Sequence, residues 1–151
     1  PNSEADAISA GIVIFRNVLA SNIFDVAPGT INLANADDLS ATAISTVTAN
    51  AAVVMLGMVG ADRTFSVWNT TSPGNLTNEA FDLSTNNGAD HGIGAAWALK
   101  ASTGTTGPLG TAELSGTGNT PNGAILLALR PVNPIAPQAT ANLWSFPLLR
   151  R

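Results

Sequence analysis

Three stretches of the chain are apolar at both odd and even positions. They are residues 51–59 (AAVVMLGMV), 92–99 (GIGAAWAL) and 123–129 (GAILLAL). Successive side chains of a β-strand point to opposite faces, so a strand with one face in water alternates apolar with polar residues. These stretches do not alternate, which predicts strands that are covered on both faces. The cover must be a second sheet, a returning arm of the chain or a neighbouring subunit.

Other strands are predicted between turns that are rich in Gly, Pro and Asn. β-Branched residues favour a strand over residues 7–19, and a single helical turn within residues 34–45 competes weakly with a strand there. The pattern predicts an all-β protein, an antiparallel β-sandwich that is jelly-roll-like. We expect the sandwich at residues 8–131, after a lead-in or linker at residues 1–7. The other predicted strands are a short one before an acidic loop at Asp37 and Asp38, and residues 41–49, 64–69, 76–84 and 111–116.

The composition changes beyond Arg130. Four of the nine prolines lie between Pro131 and Pro147, which is typical of an extended segment without its own core. Large apolar side chains follow, and each costs ~1.5–3 kcal/mol to leave in water. We predict that residues 132–151 form an extended Pro-rich C-terminal arm that docks on its own domain or on a neighbour; a last edge strand is the alternative. The predicted contact residues of this arm are Trp144, Phe146, Leu148 and Leu149.

The charge of the chain argues against nucleic acid as a partner, and the length of its apolar runs argues against a membrane. Charged residues make up 11% of it and the net charge is −4. The basic residues are scattered, so no basic face is available to a nucleic-acid backbone. No apolar run approaches the ~20 residues of a membrane-spanning helix. We expect a soluble protein with no nucleic acid and no membrane as partner.

No motif predicts catalysis or metal binding. The chain has no Cys, and His91 is its only histidine, which excludes thiolate chemistry and a His-pair metal site within one chain. No nucleophile motif accompanies His91, which we interpret as a turn residue. The oxygen-rich loops lack EF-hand spacing. We expect no enzymatic activity, no cofactor and no metal. The acids that could form a glycosidase pair are Glu79, Asp82, Asp90 and Glu113.

Two tryptophans lie on predicted strands. Trp97 shares its parity with Ile93 and Leu99, which favours packing in the core. Trp68 has the parity opposite to Phe65, which predicts an exposed or interfacial ring. Trp68 is therefore a further predicted contact residue, and it is the platform on which a glycan would stack if the protein binds one.

Short motifs resemble those of a loose group of β-rich proteins encoded by tailed phages and prophages. They are IFRN at residues 14–17, the strand and turn VVMLGMVGADRT at 53–64, ALKASTGTTG at 98–107 and ILLALRP at 125–131. The group commonly has Gly where this chain has Asn17. Its members commonly have another β-rich half before these motifs, so we expect the chain to be processed or to be the distal part of a longer product.

The resemblance implies a virion-associated protein. The leading hypothesis is a structural subunit, either a capsid decoration (cement) protein or a tail- or fibre-associated protein, located in the virion. It implies a homo-oligomer, such as a trimer, in contact with other virion proteins. The alternatives are a carbohydrate-binding β-sandwich module on a phage or bacterial cell surface, and a filament subunit that assembles by strand donation.

Overall fold

The computed structural model describes residues 8–86 and 88–132. Within these ranges the chain forms ten strands and no helix, which confirms the all-β class. The predicted lead-in at residues 1–7 and the arm from residue 133 onward lie outside the described residues. The strands are β1 (Asn32–Ala36), β2 (Leu39–Thr42), β3 (Ser45–Thr46), β4 (Ala51–Val59), β5 (Phe65–Asn69), β6 (Asn78–Thr85), β7 (His91–Lys100), β8 (Gly104–Thr105), β9 (Leu109–Leu114) and β10 (Thr120–Leu129).

The strands form antiparallel sheets that stack as the layers of a β-sandwich. The largest sheet has five strands in the order β1-β10-β4-β7-β6, and the second has three in the order β2-β9-β5. The short strands β3 and β8 pair separately. The helical turn considered within residues 34–45 does not form, because Asp37 and Asp38 make the turn that joins β1 to β2.

The three apolar stretches are the central strands of the five-stranded sheet, β10, β4 and β7. In the β4–β7 ladder Ala51 pairs with Lys100 and Val59 with Gly92, and Leu129 of β10 pairs with Ala52. Each of these strands has another strand on each side, and one of its faces lies against the second sheet. The second sheet therefore supplies one of the two predicted covers, and the other face is described below.

The inner face of the five-stranded sheet combines glycines with aromatic rings of the second sheet. Phe65 and Trp68 of β5 stack with their ring centroids 5.3 Å apart. A Cβ atom at Gly94 would lie only 2.7 Å from the Phe65 ring and 2.8 Å from the Trp68 ring. The close approach of the two layers therefore requires glycine at this position. The largest apolar side chains that are fully buried in this core are Leu39, Met55 and Leu126.

The strand predicted at residues 7–19 does not form over residues 8–19, the part of this range that the structure describes. Within the described part of this range, only Val18 makes a β-bridge, with Pro131. Residues 8–15 lie over the five-stranded sheet instead of along its edge, so their backbone has no neighbouring strand to pair with. The alternation of side chains is nevertheless used, because Phe15 packs on the sheet while Ile12 and Ile14 are exposed.

Candidate interaction surface

The outer face of the five-stranded sheet points away from the second sheet and is apolar. Its side chains alternate along each strand with those of the core, and they form a second apolar layer. The layer includes small side chains near the β4 N-terminus and larger ones toward its C-terminus. The members on the three central strands are Ala52, Val54, Leu56, Met58, Ile93, Ala95, Trp97, Leu99, Ile125, Leu127 and Leu129.

Residues 8–18, which we call the N-terminal segment, cover one part of this outer face. The Phe15 ring meets the Trp97 ring edge-on, with centroids 5.3 Å apart and planes at 75°. Phe15 and Val18 also pack against a small buried cluster of Ala52, Val54 and Leu129. An edge-on aromatic pair adds ~0.5–1.5 kcal/mol to the burial of its area, so these contacts fix the segment on the sheet.

The chain that follows the N-terminal segment is anchored by a buried carboxylate. Asp25 is only 3% exposed and accepts hydrogen bonds from Val47 N at 2.7 Å and Thr48 N at 3.1 Å. Arg130 Nε donates to its other oxygen at 3.3 Å. Burial raises the pKa of Asp25, but the hydrogen bonds from Thr48, Val47 and Arg130 outweigh burial and lower the pKa below its ordinary value.

The remaining part of the outer face is an open apolar groove. It consists of two adjoining clefts of about 340 Å³ and 410 Å³, which share Met58 and Ile93. Met58 is 49% exposed and Leu33 is 74% exposed. None of the residues that line the two clefts is acidic, Lys or Arg; His91 lies at one end. We call this surface the outer groove; its large side chains are Ile31, Leu33, Leu56, Met58, Phe81, Ile93 and Ile125.

The N-terminal segment adds an exposed apolar ridge beside the groove. Ile8, Ile12 and Ile14 are 92%, 86% and 82% exposed, and we call these three residues the isoleucine ridge. Gly11 lies directly against the Phe81 ring, where an added Cβ would be 2.7 Å away, so the ridge and the groove are adjacent. Contiguous exposed apolar surface of this kind is typical of an interaction site.

One end of the outer groove is acidic. The loops at this end carry Asp37, Asp38, Asp62 and Asp90, and they adjoin Gly60 and His91, which line the groove. Arg63 is the only basic residue in the described part of these loops, and its Nη1 lies 3.2 Å from Asp37 Oδ1. The end therefore has a negative charge that favours a basic partner.

The predicted exposure of Trp68 was wrong. Its ring is 4% exposed and faces the core beside Phe65. The ladder between β5 and β9 shifts register between Ser66 and Asn69, and Val67 within this bulge has a positive φ of 48°. The extra residue turns Trp68 to the same side as Phe65. Trp68 is therefore unavailable as a contact or glycan platform on the surface of this chain.

The prediction that Trp97 packs in the core was also inexact. Trp97 does share a face with Ile93 and Leu99, but this is the outer face. The inner face of β7 carries Gly94 and Ala96 instead. The Trp97 ring is partly buried because the N-terminal segment covers it.

Two carboxylates considered for glycoside hydrolysis hold the aromatic strand β5. Glu79 Oε2 accepts from Trp68 Nε1 at 3.1 Å, and Asp82 Oδ2 accepts from Phe65 N at 3.1 Å. Burial raises the pKa of Asp82, the hydrogen bond from Phe65 lowers it and the Glu79 charge raises it again, with a net increase. Both carboxylates thus join the two sheets at the boundary between β5 and β6, while Asp82 Oδ1 is buried without a hydrogen-bond partner among the described residues.

The other residues singled out from the sequence form no reactive cluster. His91 Nδ1, at the start of β7, lies 2.9 Å from the carbonyl oxygen of Ala89 in the preceding loop. Among the described residues, no three His, Cys, Asp or Glu side chains are placed to hold a metal ion. Nor do residues 8–86 and 88–132 contain a helix that could span a membrane. The predicted contact residues Trp144, Phe146, Leu148 and Leu149 lie outside the described residues.

The outer groove and the isoleucine ridge were not singled out from the sequence. Their signal is present in it: Leu56, Met58, Ile93 and Ile125 occupy the parity opposite to the core residues of the same strands. No family model, curated protein or solved structure matches the chain.

Proposed function

We propose that this protein is a structural subunit of a virion, a capsid decoration or a tail- or fibre-associated protein. It acts by contact with copies of itself, as in a trimer, and with other virion proteins. The proposal includes a jelly-roll-like form of the sandwich and an extended Pro-rich arm at residues 132–151. The resemblance of the short motifs to tailed-phage proteins supports the virion context.

The observation that carries the proposal is the exposed isoleucine ridge. Three isoleucines that are each more than four-fifths exposed lie next to an apolar groove that no described residue fills. Burying a large aliphatic side chain contributes ~1.5–3 kcal/mol, so covering the ridge in a subunit interface stabilises an assembly. Interfaces of permanent assemblies have this apolar character.

The experiment measures the mass of the full chain in solution by light scattering. Ile12→Asp combined with Ile14→Asp is expected to convert an oligomer into monomers, because two charges then enter the interface. The control is Leu109→Asp, which changes a half-exposed apolar residue of the second sheet and is expected to leave the mass unchanged. A monomeric native chain, or a double variant with the native mass, contradicts the proposal.

The virion context has its own test. Antibody labelling of purified particles, followed by electron microscopy, is expected to place this chain at regular positions on a head or a tail. Labelling of the bacterial cell surface alone contradicts that context and agrees with the other predicted location.

Strand donation into a filament is the second candidate. β6 is an edge of the five-stranded sheet and is eight residues long, which is the length of edge that an added strand can use. Negative-stain images of the purified chain distinguish this candidate, because strand donation predicts filaments and the first proposal predicts closed oligomers.

A further inference from the structure

The outer groove requires an apolar cover, and the chain itself contains a segment of matching chemistry. We propose that residues 143–149 of the same molecule fill the outer groove, with Arg150 and Arg151 at its acidic end. The proposal concerns the folding of one chain. Its test is separate from that of the proposed virion function, because that function is tested at the isoleucine ridge, which is a different surface.

The direction of the chain at the end of the described structure supports this return. Pro131 forms an antiparallel bridge with Val18, and Val132 N donates to Asn17 O at 2.8 Å. An antiparallel continuation therefore runs back beside the N-terminal segment. That segment leads to Gly11, which lies on the Phe81 ring, and Phe81 is a wall of the outer groove.

The length of the connection is sufficient. Residues 133–142 lie between Val132 and the apolar segment, and ten extended residues span up to about 33–36 Å. The return from Pro131 to the level of Gly123, at the far part of the groove, corresponds to eight strand residues, or about 26 Å. The segment can therefore reach the groove of its own molecule without stretching, and the prolines within 133–142 favour an extended path.

The chemistry of the segment matches the surface. Residues 143–149 (LWSFPLL) contain large apolar side chains and no charge, as does the lining of the outer groove apart from His91. Arg150 and Arg151 follow directly, and the loops at one end of the groove carry Asp62 and Asp90. A path that starts at Pro131 reaches this acidic end last, so apolar and basic parts of the segment meet complementary surfaces in the right order.

The absence of cysteine from the chain allows a direct test by disulfide trapping. Met58→Cys in the groove is combined with Phe146→Cys, and a second pair with Leu148→Cys covers a displaced register. The control pair joins Phe146→Cys to Glu113→Cys, an exposed residue on the outside of the second sheet. We expect at least one groove pair to form an intramolecular disulfide about tenfold faster than the control pair, because docking raises the effective concentration of the two thiols.

Each outcome of the trapping experiment is decisive. A cross-linked product with the mass of one chain supports the proposal. A product found only at twice that mass overturns it, because a neighbour's segment then fills the groove. Equal rates for groove and control pairs overturn the proposal. As a second measurement, deleting residues 143–151 is expected to increase binding of an apolar dye, with Leu109→Asp as the variant that leaves it unchanged. The proposed virion function is tested separately by the mass in solution of the Ile12→Asp, Ile14→Asp variant. The docking proposal and the proposed function can therefore fail independently.

Discussion

The two faces of the five-stranded sheet consist of similar apolar residues but are covered in different ways. On the inner face, Phe65 and Trp68 pack onto glycine at distances that leave no room for a Cβ atom. On the outer face, a single extended segment covers one part through Phe15, and the outer groove is open among the described residues. A packed second sheet holds the inner layer in place, whereas the outer layer is covered, among the described residues, by the N-terminal segment.

Because the two faces are covered differently, we expect substitutions on one face to change the stability of the chain and substitutions on the other to change its assembly. Substitutions on the inner face disturb a close-packed core, so they affect the free energy of unfolding of the chain itself. Substitutions on the outer face change surface that a partner or the chain's own segment can cover. The four predictions below test this division.

The largest effect is expected from truncating an aromatic ring on each face. Phe65→Ala removes a ring that is 4% exposed and should lower the free energy of unfolding by about 3–5 kcal/mol. Phe15→Ala removes a partly exposed ring from the N-terminal segment and should cost about 1–2 kcal/mol. Urea denaturation of both variants measures the difference. Equal losses would show that the outer cover is as important to the fold as the core.

The next largest effect is expected from Asp25, the buried carboxylate that follows the N-terminal segment in the chain, and this effect depends on pH. Asp25→Asn weakens hydrogen bonds from Val47 N, Thr48 N and Arg130 Nε, which should cost about 1–3 kcal/mol at neutral pH. The pKa of Asp25 is lowered in the folded chain. The Asp25 carboxylate therefore contributes fully to the free energy of unfolding at a pH above its ordinary pKa, and this contribution disappears as the pH falls through the lowered pKa of the folded chain.

The check is the difference in unfolding free energy between the native chain and Asp25→Asn, measured from pH 7 downward. This difference should shrink below the ordinary aspartate pKa of 3.8. Glu113→Gln, at an exposed residue of the second sheet, is the control and should stay within about 0.5 kcal/mol of the native chain. A constant difference at every pH would mean that the Asp25 charge does not hold this region.

How much was predictable from the sequence also differs between the faces. Strand β4 was predicted at its observed bounds and β7 and β10 nearly so, because unbroken apolar runs are a strong signal of central strands. Residues 7–19 have the composition of a strand, yet in the described part of this range residues 8–15 lie across the sheet. An apolar composition indicates that a segment packs on a sheet. It does not indicate whether the backbone of the segment pairs with an edge strand or crosses a face of the sheet.

The candidate surface was predictable only in general terms. The need for an outer cover followed from the parity of the central strands, but the groove itself depends on where the N-terminal segment stops covering the sheet. Trp68 was misplaced because one extra residue in β5 reverses the parity after it. No local pattern marks that bulge, since Val67 is a typical strand residue.

A pair of glycine substitutions compares the faces at the level of a single methyl group. A Cβ at Gly94 would lie 2.7 Å from the buried Phe65 ring, and a Cβ at Gly123 would lie 2.8 Å from the Leu33 side chain. Leu33 is 74% exposed and can move aside, whereas Phe65 cannot. Gly94→Ala should therefore cost about 1–3 kcal/mol and Gly123→Ala less than about 0.5 kcal/mol. Thermal unfolding of both variants is the measurement, and a large loss at Gly123 would show that the outer face is packed as closely as the core.

The smallest effect is expected at the bulge in β5 that turns Trp68 inward, and it should be an increase in the free energy of unfolding. Val67 is 56% exposed with φ of 48°, a conformation that costs a β-branched residue ~1–2 kcal/mol. Val67→Gly removes this strain but increases the freedom of the unfolded chain, so we expect a net stabilisation of about 0.5–1 kcal/mol. Val47, which is 61% exposed and outside the positive-φ residues, is the matched control, and Val47→Gly should destabilise. If both variants lose stability, the bulge is not strained, and the inward place of Trp68 then follows from its packing alone.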